Sequence, residues 1–439
     1  MTISPCPAQP AFVAPVGDRW PDLPRVPRGV RAVAGRPVVM ALFGHAVRRL
    51  ALRVELPEGR LLGGSAHHPQ APRLILHDPD AFAARIAATG LIGFGEAYMA
   101  GDWSAPDPAA VLTVLAAQID RLVPVPLQAL RSLVLPRRPA RTRAGRDGAR
   151  SNAAHHYDLS NDFFALFLDE TMTYSSALFE VLEPAPVWAE LAGAQARKID
   201  RLLDSAAVGP GSSVLEIGTG WGELAIRAAR RGATVRSITL SAEQQQLARR
   251  RVTEAGLADR VSIELLDYRD IDGHYDAVVS VEMIEAVGYD YLPGYLTTLE
   301  RALAPSGRIA LQVITMPHDR MRATRRTHTW IQKYIFPGGF LPSEELLAQL
   351  LSTHTGLEIV DRLSLGQHYA HTLRLWDARF TAAADRVGAL GFDEVFRRMW
   401  RLYLAYSEAG FRSGYLDTWQ MVLRHRGTRG APTGAAVSR

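Results

Sequence analysis

Cysteine is almost absent: Cys6 stands alone in 439 residues. One thiol makes no internal disulfide, which suits a reducing compartment. There is no Cys/His ligand spacing either, so no metal site is expected. Lysine is nearly as scarce. Lys198 and Lys333 are the two lysines among 50 basic residues, so the positive charge is carried by arginine. Guanidinium groups suit bidentate contacts with phosphate, in nucleic acid or in lipid head groups. A net charge of +5 over this length is too mild to indicate nucleic acid, and no base-stacking or recognition module is found. No run of about eighteen apolar residues is found, so no membrane-spanning helix is expected. The opening MTISPCPAQPAFVAPVGDRW lacks the basic start and apolar core of a secretory signal. A cytoplasmic chain is therefore expected.

What is present is apolar bulk: 47% hydrophobic and 22% charged residues, the balance of a globular chain with a sizeable core. The length allows two or three domains. The stretch PRRPARTRAGRDGAR, with six arginines, reads as a solvated linker, the alternative being a contact with membrane phosphate. It divides an N-terminal α+β domain (1–135) from a larger unit, with the linker over 136–151. In the N-terminal domain, RLALRVELPEGRLLGG and APRLILHD read as short strands and PDPAAVLTVLAAQIDRLV as a helix. The last residues, 425–439, are small and polar and read as a disordered tail.

From about residue 190 the pattern alternates. AELAGAQARKIDRLLDSA, GELAIRAARRG, AEQQQLARRRVTEAG and YLPGYLTTLERAL have helical spacing, while SSVLEIG, TVRSITL, VSIELLD, YDAVVSV and GRIALQVIT read as strands. Repeated strand–helix units imply an α/β fold with a parallel, doubly wound sheet. The loop VLEIGTGWGELA places Gly218, Gly220 and Gly222 after the first of these strands, where the backbone can turn sharply against a ligand. Glycines alone do not separate a nicotinamide site from a methyl-donor site. The second strand ends SITLSAEQ, without the acid that a nicotinamide ribose takes. Glu216 before the glycines and the pair Asp267–Tyr268 resemble the S-adenosylmethionine-binding fold instead.

Six spaced motifs then resemble the cyclopropane-fatty-acid synthase family: HYDLSNDFFALFLDETMTYSSALFE (156–180), VLEIGTGWG (214–222), ITLSAEQ (238–244), EMIEAVG (282–288), YIFPGGFLP (334–342) and GFRSGYLDTWQMVL (410–423). The resemblance covers about 155–424, with a catalytic domain over 152–424, and reaches weakly to GFGEAYMAGDW (93–103). It implies a Rossmann-like methyltransferase that adds a one-carbon unit to the double bond of an unsaturated phospholipid acyl chain. The product is a cyclopropane or a 10-methylene chain, the latter feeding a flavin- or NADPH-dependent reductase. A small amine as acceptor, or a non-catalytic lipid-binding role, are the alternatives. The resemblance carries cofactor binding to Tyr157, Tyr174, Ser175, Gly218, Gly220, Thr239, Leu240, Gln244, Asp267 and Tyr268. Tyr174 and Tyr268 as plain core aromatics is the other reading.

Family members typically hold a bicarbonate as base. The matching positions here are Ser176 (a cysteine in the family, used through its backbone), Glu285, Gln312 (a histidine in the family), Ile314 and Tyr369. Glu282 stands where bicarbonate-using members commonly have glycine. Two acids among Met283, Ile284 and Val287 are costly unless paired or used. A developing cation in a hydrocarbon pocket would use them, with Glu282 replacing or supplementing bicarbonate. The alternative is that Glu282 faces outward or pairs with an arginine such as Arg308. The segment 320–340 mixes Arg320, Arg322, Arg325 and Arg326 with Trp330, Tyr334, Ile335, Phe336 and Phe340. It reads either as a membrane-interfacial segment or as a lid. The N-terminal domain would then serve membrane contact or a homodimer.

Overall fold

Local alternation fixes most of the larger sheet. The computed structural model describes residues 20–21, 23–62, 70–118, 159–325 and 327–428. The expected linker 136–151 and Tyr157 lie outside the described residues, as does the expected tail beyond 428.

The N-terminal region carries β1 (Arg53–Glu55), β2 (Leu61–Leu62), β3 (Arg73–Leu76) and β4 (Trp103–Ser104), in the order β2-β1-β3-β4. Helices Pro79–Thr89 and Pro108–Ala117 each begin with a proline behind an aspartate cap, Asp78 and Asp107, whose carboxylates accept the third N–H of the turn. Arg85 on the first of these is 3% exposed. Its Nε donates to Asp102 at 2.8 Å, and its Nη2 donates to the carbonyl of Leu23 at 2.9 Å.

The larger sheet comprises β5 (Ser213–Ile217), β6 (Thr234–Thr239), β7 (Val261–Leu265), β8 (Tyr275–Val281), β9 (Leu303–Thr315), β10 (Leu357–Ser364) and β11 (Asp417–His425). Their order is β10-β11-β9-β8-β5-β6-β7. The pairings among β5 to β9 are parallel, as the alternation implies. β11 is antiparallel to both β9 and β10, so the sheet is mixed. The strand order reverses beside β5, with β6 on one flank and β8 on the other. In open α/β sheets the crevice at that reversal is where ligands bind.

Helix Trp188–Ser205 covers one face with Leu191, Ala194, Ile199, Leu202 and Leu203, yet Gln195 and Lys198 share its buried side. Polar groups in that position need partners, and theirs lie in the site described next.

One element departs from the expectation that no apolar span exists. Helix Val30–Val47 has a mean hydropathy of 1.2 over 18 residues, enough by length and composition to cross a membrane. Arg31, Arg36 and Pro37 break its apolar run. It is mostly uncovered: Val30 is 87% exposed, and Val33 and Val38 are also exposed.

Candidate active site

A cavity of about 1550 Å³ opens over the strand reversal, larger than the several hundred Å³ of an ordinary small-molecule site. Gly218, Gly220, Thr239, Leu240, Gln244, Asp267, Tyr268, Tyr174 and Ser175 all line it, so every described cofactor candidate falls in one place. Gly220 has φ +51, and a Cβ there would meet nothing within 4 Å; the loop leaves room for a ligand at that point. Gln244 accepts from the Thr239 hydroxyl at 3.0 Å, which fixes its amide oxygen and turns its –NH2 elsewhere. The Asp267 carboxylate is held bidentately by Arg269 at 2.8 Å and 2.8 Å. Arg269 was not read from the sequence. These groups fit an adenosyl amino acid: open backbone, an amide for hydroxyls, and aromatic faces for a sulfonium.

The acid pair of the opening turn of 282–288 sits at the far end of β8. Glu282 has φ +49, a left-handed conformation that costs a non-glycine residue about 1–2 kcal/mol. Its backbone N–H is pinned to the Gln312 carbonyl at 2.8 Å. The carboxylate turns inward. Oε1 accepts from the Ser176 backbone N–H at 3.0 Å and from Gln312 Nε2 at 2.8 Å, and Oε2 accepts from the Tyr369 hydroxyl at 2.6 Å. Thus Ser176, Gln312 and Tyr369, three of the positions matched to bicarbonate ligands, converge on the Glu282 side chain. Glu285 and Ile314 form a separate pair: the Ile314 N–H donates to Glu285 Oε1 at 2.6 Å. The other Glu285 oxygen has no partner among the described residues. Both acids line the cavity.

Enclosure pushes both carboxyls up. For Glu282, burial raises the value, while Tyr369, the Ser176 N–H, Gln312 and Lys198 pull it back. Glu285 is pushed up to about 8, first by burial and then by the Glu282 charge. Three donors on the Glu282 carboxylate make it the better held anion, whereas Glu285, with one oxygen lacking a partner among the described residues, is the harder of the two to ionise.

Lys198 completes the local charge and escaped the sequence reading. Its Nζ donates to the Ser175 hydroxyl at 2.6 Å. Burial lowers it to about 8, against the opposing pull of Glu282, Asp169 and Glu216. Glu216, bonded by the Ser237 hydroxyl, is raised by burial to about 8. A signal for Lys198 was present: it is one of two lysines in an arginine-rich chain. The other, Lys333, donates to buried Glu96 at 2.7 Å.

Aromatic rings form the rest of the wall. The Tyr369 ring stacks on Phe411 with centroids 4.6 Å apart, Tyr174 lies 5.3 Å from Trp376, and the Tyr174 and Tyr403 hydroxyls meet at 2.7 Å. Tyr174 is thus both a core aromatic and a cavity residue, so the two readings of it coincide.

The family model described as mycolic acid cyclopropane synthetase matches residues 145–421. A tuberculostearic acid methyltransferase of Mycobacterium tuberculosis is 59% identical over 412 residues, which is 93% of this chain and 96% of that one. The cyclopropane-fatty-acyl-phospholipid synthase of Escherichia coli is 33% identical over 385 residues, 86% of this chain and 93% of the other. A solved mycolic acid cyclopropane synthase complexed with SAH and CTAB has a TM-score of 0.57 at 32% identity, covering 62% of this chain and 97% of that chain.

Proposed function

Since the chain belongs to the mycolic acid cyclopropane synthetase family, and so is an S-adenosylmethionine-dependent C-methyltransferase, we propose that it converts a cis-unsaturated phospholipid acyl chain such as oleoyl into a 10-methylene chain, with Glu282 as the base. The observation that carries this reading is the convergence of the Ser176 N–H, Gln312 and Tyr369 on the Glu282 carboxylate.

Bound in the glycine loop, S-adenosylmethionine supplies an electrophilic methyl group. The alkene carbon forms a bond to that methyl as the methyl–sulfur bond breaks, leaving a cation on the acyl chain. Glu282, held by three donors, faces that charge without needing to reorient. A hydride shift along the chain moves the cation to the carbon bearing the new methyl, and Glu282 then takes a proton from that methyl. Glu285, neutral at pH 7, adds no second negative charge. The apolar wall excludes water that would otherwise trap the cation.

The 59% identical relative is named for tuberculostearic acid, a saturated chain with a mid-chain methyl branch. A methylene chain becomes such a product only by reduction, so a reductase partner belongs to this proposal. Proton NMR of lipid from an oleoyl-rich host making this protein tests the product. Vinylidene signals are expected. Upfield ring methylene signals would mean instead that no hydride shift occurs: the new methyl loses a proton and its carbon bonds to the adjacent cationic carbon, closing a cyclopropane.

The acyl chain must leave a bilayer to reach the cavity. Val39, Leu42, Phe43 and Ala46 of helix Val30–Val47 line that cavity, as do Arg320, Arg322 and Arg325. Uncovered valines beside arginines suit an anionic lipid interface, and we assign the N-terminal domain to membrane contact on the cytoplasmic face. Co-sedimentation with anionic phospholipid vesicles is expected to weaken several-fold between about 0.05 and 0.5 M salt. Salt-independent binding would remove the electrostatic part of this assignment.

A further inference from the structure

The Gln312 amide has to present its –NH2, not its oxygen, to Glu282, and the two ends of an amide have nearly the same shape. Something must set its direction. Gln312 on β9 faces Gln420 on β11 in register, and both are buried, at 1% and 0% exposed. Gln420 Nε2 donates to Gln312 Oε1 at 3.1 Å and to the Lys198 carbonyl at 3.1 Å. Gln420 Oε1 accepts from Arg201 Nη1 at 2.8 Å, and Arg201 Nη2 is held by Asp361 at 2.8 Å. Gln312 Nε2 then donates to Glu282 Oε1 at 2.8 Å and to the Ser176 carbonyl at 3.4 Å.

The two ends of this chain are chemically unequal. A guanidinium is donor-only, and an ionised carboxylate is acceptor-only. Between them the two amides have one consistent orientation, each accepting from the Arg201 side and donating toward Glu282. Reversing either amide sets oxygen against oxygen, or a donor against the guanidinium. We propose that Arg201 and Gln420 are positioning residues, which fix the direction of the Gln312 amide from outside the cavity and so hold Glu282 in its proton-accepting form. Neither residue lines the cavity. The proposal rests on Glu282 being the base.

Charged or titratable groups that face Glu282 are Lys198 from helix Trp188–Ser205, Glu285 on its own turn, and Tyr369 from helix Gly366–Ala382. All of them stay in place in the variants below. Arg201→Gln replaces the donor-only anchor with a reversible amide. Arg201→Lys retains a donor-only group.

The test is the pH profile of kcat at saturating S-adenosylmethionine and saturating anionic vesicles, at one fixed salt concentration. In Arg201→Gln the acidic limb is expected to move up by about one pH unit, a tenfold change in proton affinity. The KM for S-adenosylmethionine should be unchanged, and Arg201→Lys should return the limb toward its original place. Asp361→Asn, a change at a half-exposed carboxylate, should move it the same way by less. An unmoved limb in Arg201→Gln overturns the proposal, even if kcat falls; so does an unmoved limb in Asp361→Asn should Arg201→Gln not fold. Glu282→Gln separates this from the base assignment. If that variant keeps full activity and the original limb, Glu282 is not the base; if it is inactive while the limb ignores position 201, the anchor alone is wrong.

Discussion

Glu282→Gly is expected to lose about a hundredfold to ten-thousandfold in turnover, the usual contribution of a positioned general base, and to regain part of it when bicarbonate is added. Glycine adopts the left-handed backbone at this position freely, so the variant should fold at least as well as the parent, with up to about 1–2 kcal/mol of strain released. The donors remain where they were: the Ser176 N–H, Gln312 Nε2 and the Tyr369 hydroxyl. They would then surround a space the size of a small carboxylate. Glu282→Gln makes the contrast, because its amide fills that space without offering a base, and bicarbonate should not help it. Turnover of labelled S-adenosylmethionine, with and without bicarbonate, measures all three proteins. Full activity of the glycine variant in carbonate-free buffer would remove Glu282 from the mechanism.

Asp102→Leu is expected to cost up to about 3–5 kcal/mol of stability, read as a lower midpoint in urea unfolding, because it removes a charged partner from the buried Arg85 guanidinium. The intact pair is not itself a large source of stability: burial raises Asp102 more than Arg85 lowers it. The cost lies in the imbalance. The double change Arg85→Leu with Asp102→Leu should therefore recover much of the loss. If the single variant unfolds with the parent's midpoint, then water reaches Arg85 and the pair is not enclosed as described.

The parallel core of the sheet was legible because its signals are local. Strand-to-helix alternation, the glycines at 218, 220 and 222, and the two acids at 282 and 285 each lie within a few residues of one another. The antiparallel strands β10 and β11 were not read. LEIVDRLS covers one face only and is followed by 52 residues before β11 begins, so nothing nearby announces their pairing. Arg201 and Gln420 were invisible as site residues for the same reason. Gln420 bonds to partners 108, 219 and 222 positions away, and only the folded sheet brings them together. Gln312 was read as a site residue because it matches a family position. Gln420 lies within the motif 410–423, which assigned it no role, and Arg201 lies in no motif. Helix Val30–Val47 was missed through interruption: its arginines and Pro37 divide the apolar run that a window search looks for.

The backbone at position 282 has a consequence for how this chemistry can change hands. It already has the shape that glycine prefers, and its N–H is anchored to β9 whichever residue is present. Glycine and glutamate codons differ by a single base. A tethered carboxylate and a dissolved one are therefore neighbouring states of the same scaffold, exchangeable in either direction without rebuilding the turn. With Glu282 as the proposed base, a lineage holding the glutamate would modify lipid at a rate independent of the carbonate content of its surroundings.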